Sequence, residues 1–173
     1  SIRRQRQMCI RDSPYMPLWE HVPDGEPHVF GDRLYVFGSH DLENGNEFCE
    51  QDYVCWSAPV TDLSDWRCDG VIYKKEQDPY NQDALPLYAP DVVKGPDGRY
   101  YLYYCIKFQD SINVAVCDTP AGEYRFYGRV HYEDGRVMAE NQPYDPSLIC
   151  TKDGIFLYFG FAPCMINIPR YKG

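Results

Sequence analysis

The chain has 173 residues, with 26 acidic side chains against 17 basic ones and a formal net charge of −9. Such a surface repels phosphate backbones, so no nucleic-acid partner is expected, and with no run of 18 apolar residues no membrane partner is expected either. Aromatic residues make up 16% of the chain and sixteen of them are Tyr; together with carboxylates they suit sugars, because rings stack on C–H faces and carboxylates accept hydrogen bonds from hydroxyls.

Residues 1–13, SIRRQRQMCIRDS, differ in character from the rest. They carry four Arg, no aromatic and no strand period, and they lack the apolar stretch of a signal peptide. The string resembles translated sequencing-adapter read-through, so it is read as a non-native or disordered leader, and residues 14–173 as the native part. Without it the count is 13 basic against 25 acidic residues.

From residue 24 onward the pattern is one of short strands and turns. Glu26–Phe30 leads through Gly31-Asp32 into the aromatic run Arg33–Gly38. Tyr53–Pro59 and Gly70–Tyr73 follow as strands. Ala89–Val93 then turns at Pro96-Asp97-Gly98 into Arg99–Tyr104, with Asn113–Cys117 and Gly128–Tyr132 behind it. Asp145–Ile149 turns at Asp153-Gly154 into Ile155–Gly160. The closing IPRYKG, residues 168–173, comes without a cap, and the gene reads as cut at both ends. Asp97-Gly98 and Asp153-Gly154 lack the acid spacing of an EF-hand and are hairpin turns.

The pattern repeats with a period of about 60 residues, marked by Pro27, Pro90 and Pro146. Four antiparallel strands per unit, in phase, describe a β-propeller blade rather than a sandwich. The expected fold class is all-β: a β-propeller of which about two and a half blades are present. The first strand of each blade lines the central channel. Acids opening those strands therefore converge there, and they are Glu26, Asp91 and Asp145, with Asp24 just outside. Gathered carboxylates drive their proton affinities apart, as glycosidic-bond cleavage requires of its acid and base.

The cysteines Cys49, Cys55, Cys68, Cys105, Cys117 and Cys150 lie in or beside apolar strand runs and read as small buried hydrophobes of a reducing compartment. A cytoplasmic location is expected on that ground, with secretion or a periplasmic location left open by the unseen N-terminus. No zinc spacing occurs and no cofactor is implied; a structural calcium near the propeller axis stays open. Trp19, Trp56 and Trp66 are read chiefly as blade packing, with a sugar-platform role as the alternative. Ser39-His40-Asp41 is not a catalytic triad, since sequence neighbours point in different directions.

The motifs Glu26-Pro27-His28-Val29, Tyr88-Ala89-Pro90-Asp91-Val92 and Tyr144-Asp145-Pro146-Ser147-Leu148 resemble the blade-opening motifs of glycoside hydrolase family 43. The stretches Val29–Asp41 and Asp52–Ser57 leading to Asp65-Trp66 are similar to that family as well. The resemblance implies that the full ring is a five-bladed β-propeller. It implies an inverting glycosidase acting on pentose-containing plant glycans, of α-L-arabinofuranosidase or β-xylosidase type, whose partner is an oligosaccharide or polysaccharide. It implies that the blade-one acid is the general base, at Glu26 with Asp24 as the alternative, and that Asp145 tunes the general acid. Tyr88 is an expected substrate-binding residue; Asp91, near the pocket, is expected either to face substrate or to stand behind the residues that do, and the rim residue His40 either to hydrogen-bond sugar or to be simply exposed. The general acid is a Glu opening a later blade, which the chain is expected to stop short of, leaving this portion inactive alone. Two rivals stand beside this reading: a non-catalytic carbohydrate-binding propeller with a degenerate site, and a related enzyme using phosphate as nucleophile. The second would need cations lining the channel, where the repeat openings carry acids.

Overall fold

The computed structural model describes residues 16–140 and 143–160; the leader at 1–13 and the terminal 168–173 lie outside them. The strands are β1 (Glu26–Phe30), β2 (Arg33–Phe37), β3 (Tyr53–Pro59), β4 (Arg67–Tyr73), β5 (Leu87–Lys94), β6 (Tyr100–Ile106), β7 (Ile112–Cys117), β8 (Arg125–Arg129), β9 (Ser147–Thr151) and β10 (Gly154–Tyr158). They form two four-stranded sheets ordered β1-β2-β3-β4 and β5-β6-β7-β8, and a two-stranded sheet of β9 and β10. Every pairing is antiparallel between sequence neighbours. These are two complete propeller blades and half of a third, as the repeat predicts.

Turn chemistry sets the registers. Phe30 pairs with Arg33 and Thr151 with Gly154, so two-residue loops close β1–β2 and β9–β10. Gly31 adopts φ 67°, a left-handed conformation that glycine enters without a Cβ clash. Some boundaries differ from expectation: the fourth strand of the first blade begins at Arg67 rather than Gly70, and the third blade opens at Ser147 rather than Asp145. The fourth strand of the second blade is Arg125–Arg129, not Gly128–Tyr132. Residues able to pair with Asn113–Val116 of β7 are Arg125 to Arg129, whereas Tyr132 enters a turn closed by the Gly135 amide.

The two blades stack face to face. Tyr35, Phe37, Tyr53, Ile72 and Tyr73 of the first blade join Leu87, Val92, Leu102, Tyr104 and Ile106 of the second in one buried cluster. Small residues, Cys55, Ala115 and Cys117, fill the space between the large rings. Inside this core the Tyr73 and Tyr104 hydroxyls meet at 2.8 Å. Tyr104 donates onward to the buried Asp78 at 2.5 Å, and Asn113 donates to the same carboxylate at 3.0 Å. Burial raises the Tyr73 and Tyr104 hydroxyl pKa values, so both stay neutral donors.

The other face of the second blade carries Cys105, Ile112 and Met138 against Tyr144 and Leu157 beside the β9–β10 hairpin. In consequence β5 lies between β1 and β9. The three innermost strands are thus neighbours although their residues are distant in sequence. Cys49, Cys55, Cys105 and Cys117 are buried, Cys68 is exposed, Cys150 is intermediate, and all six are free thiols.

Candidate functional site

The carboxylates gather where the innermost strands begin, and backbone geometry decides their equivalence. Counting back from the matching hairpins aligns Glu26 with Ser147, and therefore Asp24 with Asp145. Both aspartates precede their strand by two residues, and both are left-handed, with φ 54° and φ 55°. A non-glycine residue holds that conformation at a cost of order 1–3 kcal/mol, and such strain clusters at functional sites. The expected alignment of Glu26 with Asp145 through their prolines is thereby corrected. Proline fixes its own φ but does not fix a strand's register.

Two cavities meet at these residues. The smaller, about 180 Å³, is lined by Asp24, Glu26, Ala89, Pro90, Asp145, Pro146 and Ser147. The larger, about 430 Å³, is lined by Asp24 and Asp145 together with Phe48, Cys49, Tyr88, Lys107, Phe108 and Tyr144. Asp24 and Asp145 belong to both, whereas Glu26 belongs to the smaller alone. Burial raises the Asp145 carboxyl above its usual value, and the nearby Asp24 charge raises it further. Burial also raises Glu26, with Asp91 and Asp24 adding to the effect and His28 opposing it.

Asp24 is held by a hydrogen bond that Ser39 Oγ donates to its Oδ2 at 3.2 Å, from a fully buried position. Ser39 has a part in the site that the motif reading does not assign. Gly38 makes the contact possible. A Cβ there would stand 2.6 Å from Val22 Cγ1 and 2.7 Å from the Pro23 carbonyl, so the segment carrying Asp24 lies directly against the end of β2. The run Phe37-Gly38-Ser39 at a strand end is the one sequence signal of this close approach.

The expected substrate-binding residues divide. Tyr88 lines the larger cavity, with its ring 5.5 Å from that of Tyr144 in an edge-to-face arrangement. Asp91 does not face a cavity: it is 1% exposed. His28 Nε2 lies 2.6 Å from its Oδ1, the Leu148 amide donates to its Oδ2 at 2.6 Å, and its own Val92 amide closes on Oδ1. It binds three blades together and has little left to offer a ligand. His40 is likewise committed, with Nδ1 2.8 Å from the Asp52 carbonyl and Nε2 2.9 Å from Glu20, and it lines neither cavity. Its neighbour Asp41 accepts the Cys49 amide. Ser39, His40 and Asp41 thus turn to three different partners.

Trp56 is packed inside and donates to Glu20 at 3.1 Å, while Trp19, exposed, tilts against its ring at 6.3 Å. Trp66 donates to the Leu63 carbonyl in an exposed turn. Ligand atoms of Glu26, His28 and Asp91 lie within 4.8 Å of one another, close enough for a cation. His28 and Asp91, however, already satisfy each other at 2.6 Å.

A cleft that pairs carboxylates with rings can bind a sugar, hold one carboxylate as a base and raise the proton affinity of another. Comparison with known proteins agrees. Residues 23–164 match the sequence family described as "Glycosyl hydrolases family 43". A xylosidase/arabinosidase of Thermoclostridium stercorarium is 54% identical over 158 residues, which are 88% of this chain and 33% of that protein. Xylosidase/arabinosidase 43A of Humicola insolens is 30% identical over 161 residues, covering 83% of this chain and 45% of that one. Among solved structures, the GH43_1 enzyme of Xanthomonas citri complexed with xylotriose aligns with a TM-score of 0.65 at 26% identity, over 86% of this chain and 42% of that chain. The chain therefore spans a third to under half of the length of these relatives.

Proposed function

The chain belongs to glycosyl hydrolase family 43, and from that premise we propose that it forms the front of an inverting glycosidase acting on pentose-containing glycans. One observation carries the reading: Asp24 and Asp145, with matching left-handed backbones, line the same aromatic cavity. In the proposed reaction Asp24 activates water and Asp145 tunes and orients a general acid. A Glu from a later blade supplies the proton that leaves with the aglycone. In an inverting site water is delivered on the face opposite the acid, which keeps the attacking base and the acid about 6.5–9.5 Å apart.

The Ser39 hydroxyl supports the assignment to Asp24, since its hydrogen bond fixes the orientation of that carboxylate at the cavity wall. The two similar proteins named as xylosidase/arabinosidases support xylose or arabinose as the sugar released. The free thiols, of which Cys49, Cys55, Cys105 and Cys117 are buried, support a reducing compartment.

The test is to follow hydrolysis of an aryl β-xyloside and an aryl α-L-arabinofuranoside by proton NMR in the full-length protein. The first-formed sugar should carry the anomeric configuration opposite to that of the substrate. Retained configuration, or no cleavage of either compound, would refute the proposal.

A further inference from the structure

Asp24 is carried by a segment that has no strand ladder of its own. Residues 16–25 precede β1 and belong to no strand. Within them Asp24 holds a left-handed backbone at φ 54°. Such a conformation persists only where the surroundings fix it. The Ser39 hydroxyl holds the carboxylate, and the chain that bears the carboxylate needs a hold of its own.

A group suited to that task lies four residues upstream. The Glu20 side chain is 7% exposed and turned onto the first blade. Its Oε2 accepts the Trp56 indole N–H at 3.1 Å, from the middle of β3. Its Oε1 lies 2.9 Å from His40 Nε2, beyond the end of β2. His40 is itself fixed: its Nδ1 faces the Asp52 carbonyl at 2.8 Å, and the Gln51 side chain donates to the Asp41 carbonyl beside it at 2.7 Å. Trp56 is buried, with the Trp19 ring tilted against it. A carboxylate drawn out of water between two such groups is a strong attachment, because both bonds are charge-assisted and little water competes for them.

Between Glu20 and Asp24 the chain stays pressed on the same blade. The Asp41 amide donates to the His21 carbonyl at 2.9 Å. Gly38 lies so near Val22 and the Pro23 carbonyl that a Cβ would not fit. Glu20 thus ties the segment to β3 and to the loop behind β2 at once.

We infer that Glu20 is a positioning residue for Asp24: clamped between His40 and Trp56, it fixes the strained segment that aims the Asp24 carboxylate into the cleft. This rests on the glycosidase reading of the site and adds to it a residue that lines neither cavity holding Asp24. It also gives His40 its part in the site, as a fixed point and not as a ligand for sugar.

The test compares Glu20→Ala with Glu20→Gln in the full-length protein. Glutamine can keep the clamp, since its amide oxygen accepts from Trp56 and its NH₂ donates to a His40 Nε2 that carries no hydrogen. On an aryl pentoside Glu20→Ala should lower kcat about 10²-fold with KM changed less than about threefold, the scale of a misplaced reacting group. Glu20→Gln should recover most of that loss. In an Asp24→Gly background, with or without added azide, Glu20→Ala should change the remaining rate less than about twofold, because nothing is left for it to position. A fall there as large as in the native background would mark general damage and overturn the inference, as would an unchanged kcat in Glu20→Ala. Hydrogen exchange reads the clamp without turnover: in Glu20→Ala the Asp41 amide should lose protection while the β2–β3 ladder keeps it. An Asp41 amide protected as before would overturn the inference in an active or an inactive protein alike. Lost protection that glutamine restores, in a protein that cleaves no glycoside, would uphold the clamp and refute the hydrolytic reading alone.

Discussion

Asp145→Asn in the full-length protein should lower kcat on aryl pentosides by about 10²-fold or more while changing KM little. The change keeps size and shape and removes the charge through which Asp145 acts on the general acid. The same substitution should make the folded chain more resistant to heat, because the Asp145 carboxyl is raised by burial first and by the Asp24 charge second. A carboxyl raised on folding holds its proton more tightly in the native state than in the unfolded one. Its stabilising contribution is complete below the ordinary Asp value of about 3.9 and is lost as pH rises through the raised value. Above that range the ionised group is a liability that Asn does not carry. Melting temperature measured from pH 3 to pH 8 should show the variant ahead at neutral pH and the gap closing in acid. Loss of stability at neutral pH together with full turnover would contradict both roles. Such opposition between stability and activity is the usual mark of a group placed for chemistry.

Asp91→Ala should cost stability on a larger scale, about 3–5 kcal/mol. Asp91 is almost wholly enclosed, and its two oxygens engage His28 of the first blade, Val92 of its own and Leu148 of the third. Alanine leaves the buried amides of Val92 and Leu148 without their acceptor and with no route to water, while the His28 ring, partly exposed, loses its partner. Asn does not repair the site, since its NH₂ group points a donor at donors. Urea denaturation measures the total loss. Hydrogen exchange locates it: the Leu148 amide should lose protection before the β6–β7 ladder does, because β9 is joined to the second blade through this carboxylate. A loss below about 1 kcal/mol would show that Asp91 is dispensable to blade packing.

The blade repeat was legible because each unit writes the same physical message. An acid beside proline, a turn residue and an aromatic strand recur, and that periodicity survives differences in individual residues. The sheet order followed from it. Register did not, because Pro27 and Pro146 look equivalent in sequence while the hairpins place them one residue out of step in opposite senses about Glu26 and Ser147. The exchange of Glu26 for Asp24 as the partner of Asp145 is a consequence of that single ambiguity. Whether Asp91 and His40 face a ligand is not legible in the sequence, for a different reason. A carboxylate or imidazole near a cavity looks the same in sequence whether it faces a ligand or the backbone of a neighbouring blade, and here both are taken up by protein partners. Ser39 was passed over because its role depends on the close approach that Gly38 permits, a contact between segments and not a motif. The fourth strand of the second blade shifted because pairing with β7, not apolar content, selects its residues.

The claim on which the account depends is that Asp24, not Glu26, directs water at the anomeric carbon. Asp24→Gly removes the carboxylate while suiting the left-handed backbone at that position, and leaves space for a small anion; Glu26→Ala is its control. Turnover of an activated aryl pentoside should collapse in Asp24→Gly and return on addition of azide, with a glycosyl azide of inverted configuration as product, whereas Glu26→Ala should keep most of its activity and gain nothing from azide. Azide rescue of Glu26→Ala alone, with Asp24→Gly still active, would contradict it.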